Sequence, residues 1–130
     1  MSFSDYLENS LMDHLFRKAI FTAPANLYVA LFTSDPGETG ASGEVTGTNY
    51  ARVSTTGSDW STSSGGQIDN DSLIEFNIAT GSWGTVSHFG LWDSGSTGNF
   101  IGGGSVTSAT SIGDGDTPRF PAGSLTVTLS

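Results

Sequence analysis

Any chemistry in this chain must be built from two histidines, a surplus of carboxylates and many hydroxyls, because it has no cysteine. That absence removes disulfides, iron-sulfur clusters, thiolate zinc sites and cysteine nucleophiles together. His14 and His88 are 74 positions apart, and no Gly-x-Ser-x-Gly nucleophile elbow accompanies them. His14 falls beside the apolar stripe of a helix and His88 within an apolar strand, where packing accounts for an imidazole without catalysis. No enzyme activity and no cofactor is expected.

Asp69-Asn70-Asp71 and Asp114-Gly115-Asp116 place carboxylates at alternate positions, as calcium loops do, yet neither continues to the closing Glu of an EF-hand. Turns require the same residues, so no metal ligand is assigned. Among the aromatics, Trp60 alone lies in a polar stretch (GSDWSTSS), where it can stack on a sugar ring or anchor a protein contact. Trp83 and Trp92 flank or occupy a strand and read as core.

The frame that must hold these residues follows from composition and period. The 130 residues include 20 Ser, 16 Thr and 18 Gly, only 35% are hydrophobic, and 13 acids against 4 bases give a net charge of −9. One domain spanning 1–130 is expected. Arg17, Lys18, Arg52 and Arg119 are too few for a phosphate-binding patch, so nucleic acid is not an expected partner. No apolar run approaches the roughly 20 residues of a membrane span, and the N-terminus lacks the basic start and apolar stretch of an export signal. The chain reads as soluble and non-exported.

Phe3, Leu7, Leu11 and Leu15 repeat every four residues, with Met12 and Ile20 beside them, so the spacing predicts an amphipathic helix over Ser4 to about Lys18. Ser4 or Asp5 is placed to cap it, and Arg17 and Lys18 suit its C-terminus. After Pro24 the period changes. Asn26–Thr33 reads as a central strand apolar on both faces, Ser34–Thr48 as a long exposed loop, Tyr50–Thr55 as a short strand and Gly57–Asp71 as a second long loop.

Ser72–Ile78 alternates, with Ile74, Phe76 and Ile78 on its inner face. In Thr85–Asp93, Val86, His88 and Trp92 share one face, and Phe89 and Leu91 the other. Asn99–Thr107 is a strand whose three consecutive glycines predict a bulge or a close backbone approach. After an acidic turn at Gly113–Pro118, the chain ends in a strand with Leu125, Val127 and Leu129 inward. Short strands joined by Gly-rich turns, with no helix recurring between them, predict a mainly β fold: an antiparallel, jelly-roll-like β-sandwich with residues 1–20 as an N-terminal helical segment.

Several phrases also resemble a known group. SFSDYLENSLMDHLF, APANLYVALFTSDPGETG, NYARV, ATGSWGTVSHFGLWDSGSTGN and DTPRFPAGSLTVTLS, in this order, are similar to a family of small tailed-bacteriophage structural proteins described variously as tail-fibre, head-fibre or virion proteins. The resemblance covers most of the chain and is weakest over Gly57–Asp71. It implies a virion component assembled in the host cytoplasm. By analogy of size and fold it implies a capsid decoration or cement protein, a dimer or trimer bridging major capsid subunits. An acidic chain suits the outer face of a DNA-filled shell, and many weak contacts add up along a seam. A tail- or head-fibre component is the alternative, and a host-glycan adsorption module built on Trp60 a third. Candidate interface residues are Leu7, Leu11 and Leu15 on the helix face, with ordinary core packing as the competing account, and Trp60.

Overall fold

A computed structural model describes residues 2–129 and is mainly antiparallel β with one short helix. Ser4 caps that helix: its Oγ accepts a hydrogen bond from Leu7 N–H at 3.1 Å. Helix α1 spans Asp5–Phe16. It stops two residues short of Lys18, which turns the chain with φ 59°, a conformation that ends a helix.

Ahead of α1 lies β1 (Ser2–Phe3); after it come β2 (Leu27–Phe32) and β3 (Val53–Thr55). The next are β4 (Gln67–Asp69), β5 (Ile74–Glu75), β6 (Gly84–Trp92), β7 (Phe100–Ile112), β8 (Arg119–Phe120) and β9 (Thr126–Thr128). One five-stranded sheet runs in the order β1-β7-β6-β2-β3, and two small sheets pair β4 with β9 and β5 with β8. A jelly roll divides eight strands between two sheets. The nine strands among the described residues divide five, two and two, an antiparallel, mainly β arrangement in keeping with the fold class expected.

β2 is interior, as its apolar run predicts, and it is buried on both sides. Val29 and Leu31 enter the main core with Phe89, Leu91 and Ile101, onto which Ile74, Phe76, Leu125 and Val127 of the small-sheet segments pack. Ala30 and Phe32 form a second cluster with Trp92 and Phe100 on the opposite face. Segment 34–48 is the long and mostly exposed loop expected, but Pro36 and Gly40 fold over that second face and Val45 enters the main core. Val45 N–H bonds to Leu31 O, Val45 and Pro36 are buried, and Gly40 lies so close that a Cβ would sit 2.7 Å from the Phe100 ring.

Other expectations are corrected by pairing that periodicity does not reveal. The register of β6 on β7 slips between Val86 and His88, so Val86 joins Phe89 and Leu91 in the main core, and the face shared by Val86, His88 and Trp92 does not exist. A bulge reverses side-chain parity in this way. Ile78 and Leu129, expected inward, are exposed, because β5 and β9 end before reaching them. The expected loop Gly57–Asp71 contains a 3-10 turn at Gly57–Asp59 and strand β4, paired with β9 near the C-terminus. In β7, Gly103 serves close approach: a Cβ there would lie 2.6 Å from Pro36 and 2.8 Å from Phe89 O.

Candidate interaction surfaces

The residues first considered for catalysis are occupied with structure. His14 Nδ1 accepts the Phe21 N–H at 3.1 Å, which folds the chain back beneath α1. His88 Nδ1 lies 2.8 Å from Oγ of the adjacent Ser87 on half-buried β6. The acidic triplets hold turns and strands together. Asp69 accepts from the Thr126 hydroxyl at 2.7 Å, Asp114 from Gly81 N–H and Asp116 from Gly113 N–H.

Asn70 is buried, its Nδ2 donating to Ser72 O, Phe120 O and Pro121 O and its Oδ1 accepting from Leu125 N–H. This side chain ties three separate backbone segments together through both its nitrogen and its oxygen. Among the described residues the carboxylates of Asp5, Glu8 and Glu38 do converge within 4.8 Å. All three are exposed, and acids in the first turn of a helix are favoured by its dipole.

A charged cluster that sequence reasoning missed lies at one corner of the large sheet. Arg52 Nε and Nη2 donate to the two carboxylate oxygens of Glu44, each at 2.8 Å, and Nη1 donates to Ser94 O and Thr97 O, each at 2.9 Å. Its guanidinium lies 4.0 Å from the centre of the Trp92 ring. Tyr50 joins this group, its hydroxyl donating to Glu44 and accepting the Leu31 N–H. Burial above all raises the Tyr50 hydroxyl out of the ordinary tyrosine range, and the Glu44 charge adds to the effect. The Leu31 N–H and the Arg52 charge oppose it. With each guanidinium nitrogen matched to an acceptor, the cluster locks the loops that carry Glu44, Arg52, Ser94 and Thr97 together. Only the adjacency of Tyr50 and Arg52 in NYARV hints at it in the sequence.

The candidate interface residues separate into two groups. Leu7 is buried, Leu11 packs half-buried against the same core, and half-buried Trp60 donates its indole N–H to Thr55 Oγ1 at 2.9 Å. Trp60 is therefore a wall of the core and does not stand free in a polar loop. Leu15 is 60% exposed, and beside it Met12, Phe16 and Ile20 are 57, 72 and 85% exposed. The helix outruns the surface it packs on. The return chain fixes this overhang from below, since Phe21 N–H bonds to His14 and the Phe21 ring meets Tyr6 edge-on at 6.5 Å.

A second open feature is a groove of about 460 Å³ between the far half of β7 and the segment from Pro118 to Thr126. Four residues of β7, Val106–Ala109, lie opposite Ser87 where the register slips, and this excursion forms one wall. Val86, Phe89, Ile112 and Leu125 form its apolar lining, with Ser105, Thr107, Ser124 and Thr126 among the hydroxyls. Arg119 also lines it, paired with Glu75 at 3.4 Å. No helix among the described residues is long and apolar enough to cross a membrane.

Comparison with known proteins adds a family to this geometry. No individual curated protein matches the chain significantly. A family model described as Podophage GP4 fiber I protein gp80 matches residues 2–128, which takes in every strand and the helix. With nearly the whole chain covered, and consistent with the resemblance read from its sequence, the protein belongs to this family of phage fibre-type structural proteins.

Proposed function

We propose that the chain is a non-enzymatic structural subunit of the virion, built into a fibre or its attachment point and held there by protein contacts. The family match over residues 2–128 is the observation that carries this reading. The overhang of α1 and the open groove supply the kind of apolar surface that marks association sites on small proteins. The partners are virion proteins, including further copies of the chain as a dimer or trimer.

The capsid-cement role expected from size and charge needs the same association chemistry and a different partner, the major capsid protein. The fibre description of the family favours the fibre placement over it. A glycan-binding role built on Trp60 has less support, since its indole N–H is committed to Thr55 and its ring to the core.

Gold-labelled antibody against the protein, applied to intact phage particles and viewed by electron microscopy, tests the placement. Label on fibres or at their bases is expected. Regular label over the head would overturn the fibre reading in favour of cement, and no label on any particle would overturn the virion role.

A further inference from the structure

The overhang and the groove are two unmatched surfaces of the same chain, and their chemistry is complementary. Leu15, Phe16 and Ile20 project from a helix end that is locked by the His14 to Phe21 hydrogen bond, so the knob is formed before any partner arrives. The groove offers an apolar lining and about 460 Å³, within the roughly 300–1,000 Å³ typical of sites that bury a guest. Because the knob side chains are exposed in the folded chain, they do not fill the groove of their own molecule.

Charge selects the occupant. Residues Met12–Ile20 contain Asp13, Arg17 and Lys18, a net +1, in a chain of −9, so the rest of the molecule carries −10. Asp13 pairs with Arg17 at 3.7 Å, so the net positive charge at the knob is that of Lys18, whose Nζ donates to Leu15 O. Around the groove Arg119 is paired with Glu75, Asp69 accepts from Thr126 on the rim, and Asp116 stands two residues before Pro118. An apolar knob with one net positive charge thus complements an apolar groove that is lined by Arg119 and flanked by Glu75, Asp69 and Asp116, a local sum of −2, and every copy possesses both.

We infer that the chain self-associates head to tail, the α1 overhang of one copy seated in the β7 groove of the next. The contact is heterologous, so each copy gives one knob and receives one. Such contacts close into a ring or propagate as a filament according to the rotation between copies. This inference rests on the reading of the chain as a structural subunit and deepens it by naming the surfaces.

Sedimentation of the full chain across the micromolar range tests the contact with two variants changed only at exposed positions. L15S/F16S removes the knob and T107K/S124K sets cations on the groove. Wild type is expected to form oligomers as concentration rises, and each variant alone to remain monomeric. Mixing the two variants is expected to restore a dimer of one copy of each, because one intact knob then meets one intact groove. A monomeric wild type overturns the proposal. So does association abolished by L15S/F16S but untouched by T107K/S124K, which marks a knob-on-knob contact, or a mixture that stays monomeric. Gold labelling of particles reads the placement in the virion independently, so failure of either claim is visible without the other.

Discussion

At the Arg52 corner each guanidinium nitrogen has an acceptor and the cation lies on an aromatic ring, whereas at the end of α1 four apolar side chains stand in solvent next to Arg17 and Lys18. The first arrangement is complete within one chain. The second adds almost nothing to the stability of an isolated monomer, since apolar surface left exposed gains nothing from burial. Their contrast separates residues that hold the fold from residues available to a partner, and substitution at each end should sharpen it.

The largest effect is expected at the lock. Arg52→Ala leaves half-buried Glu44 without its cation and uncovers two loop carbonyls, and breaking a pair this shielded from one side costs about 3 kcal/mol, the lower end for a buried pair. Urea unfolding of the variant measures it, and a loss below 1 kcal/mol would show that solvent reaches the corner freely. Asn70→Ala comes next. It strips three carbonyls and one N–H of partners where β4 meets the C-terminal segment, and a loss of about 3 kcal/mol is expected from buried groups left unsatisfied. Thermal melting followed by circular dichroism would show it.

Gly90→Ala is expected to cost about 1–3 kcal/mol by overpacking, because a Cβ there collides with the Phe32 ring and lies 3.0 Å from Phe100. Calorimetry on the variant checks this. A weaker dependence comes from Asp59, whose carboxylate accepts the Thr56 N–H at 2.8 Å and is thereby held below the usual carboxylate range. A depressed carboxylate contributes stability above its unfolded pKa and loses it as pH falls through the folded value. Asp59→Asn should therefore lower stability slightly at neutral pH and flatten the acid limb, the two proteins converging as pH falls below about 4.

Smallest of all is the expected effect of L15S/F16S on the monomer, within about 0.5 kcal/mol, as for surface substitutions generally.

Much of this division was legible in the sequence, and the failures share a cause. Ser4 as cap, the helix, the doubly buried β2 and the close approach at Gly103 follow from local chemistry and period. Strand β4 pairs with β9 nearly sixty residues away, and the β6 bulge depends on the strand across from it, so neither leaves a periodic trace. Glu44 and Arg52 meet only because segment 34–48 folds over Trp92 and Phe100. In the helix the same four-residue repeat runs through Leu7, Leu11 and Leu15, yet the surface beneath it ends before Leu15. A repeat marks which side chains want cover; the length of the neighbouring surface decides which receive it within the chain.

The central claim is that the core stabilises one copy and the α1 overhang stabilises only the assembly. Urea unfolding midpoints of wild type and L15S/F16S, taken over a hundredfold range of protein concentration, test it most directly. Association that favours the folded state raises the midpoint with concentration, so the wild-type midpoint is expected to climb, the variant midpoint to stay level, and the two to meet on dilution. A wild-type midpoint independent of concentration, or a variant lying well below wild type even at the dilute limit, would contradict the account.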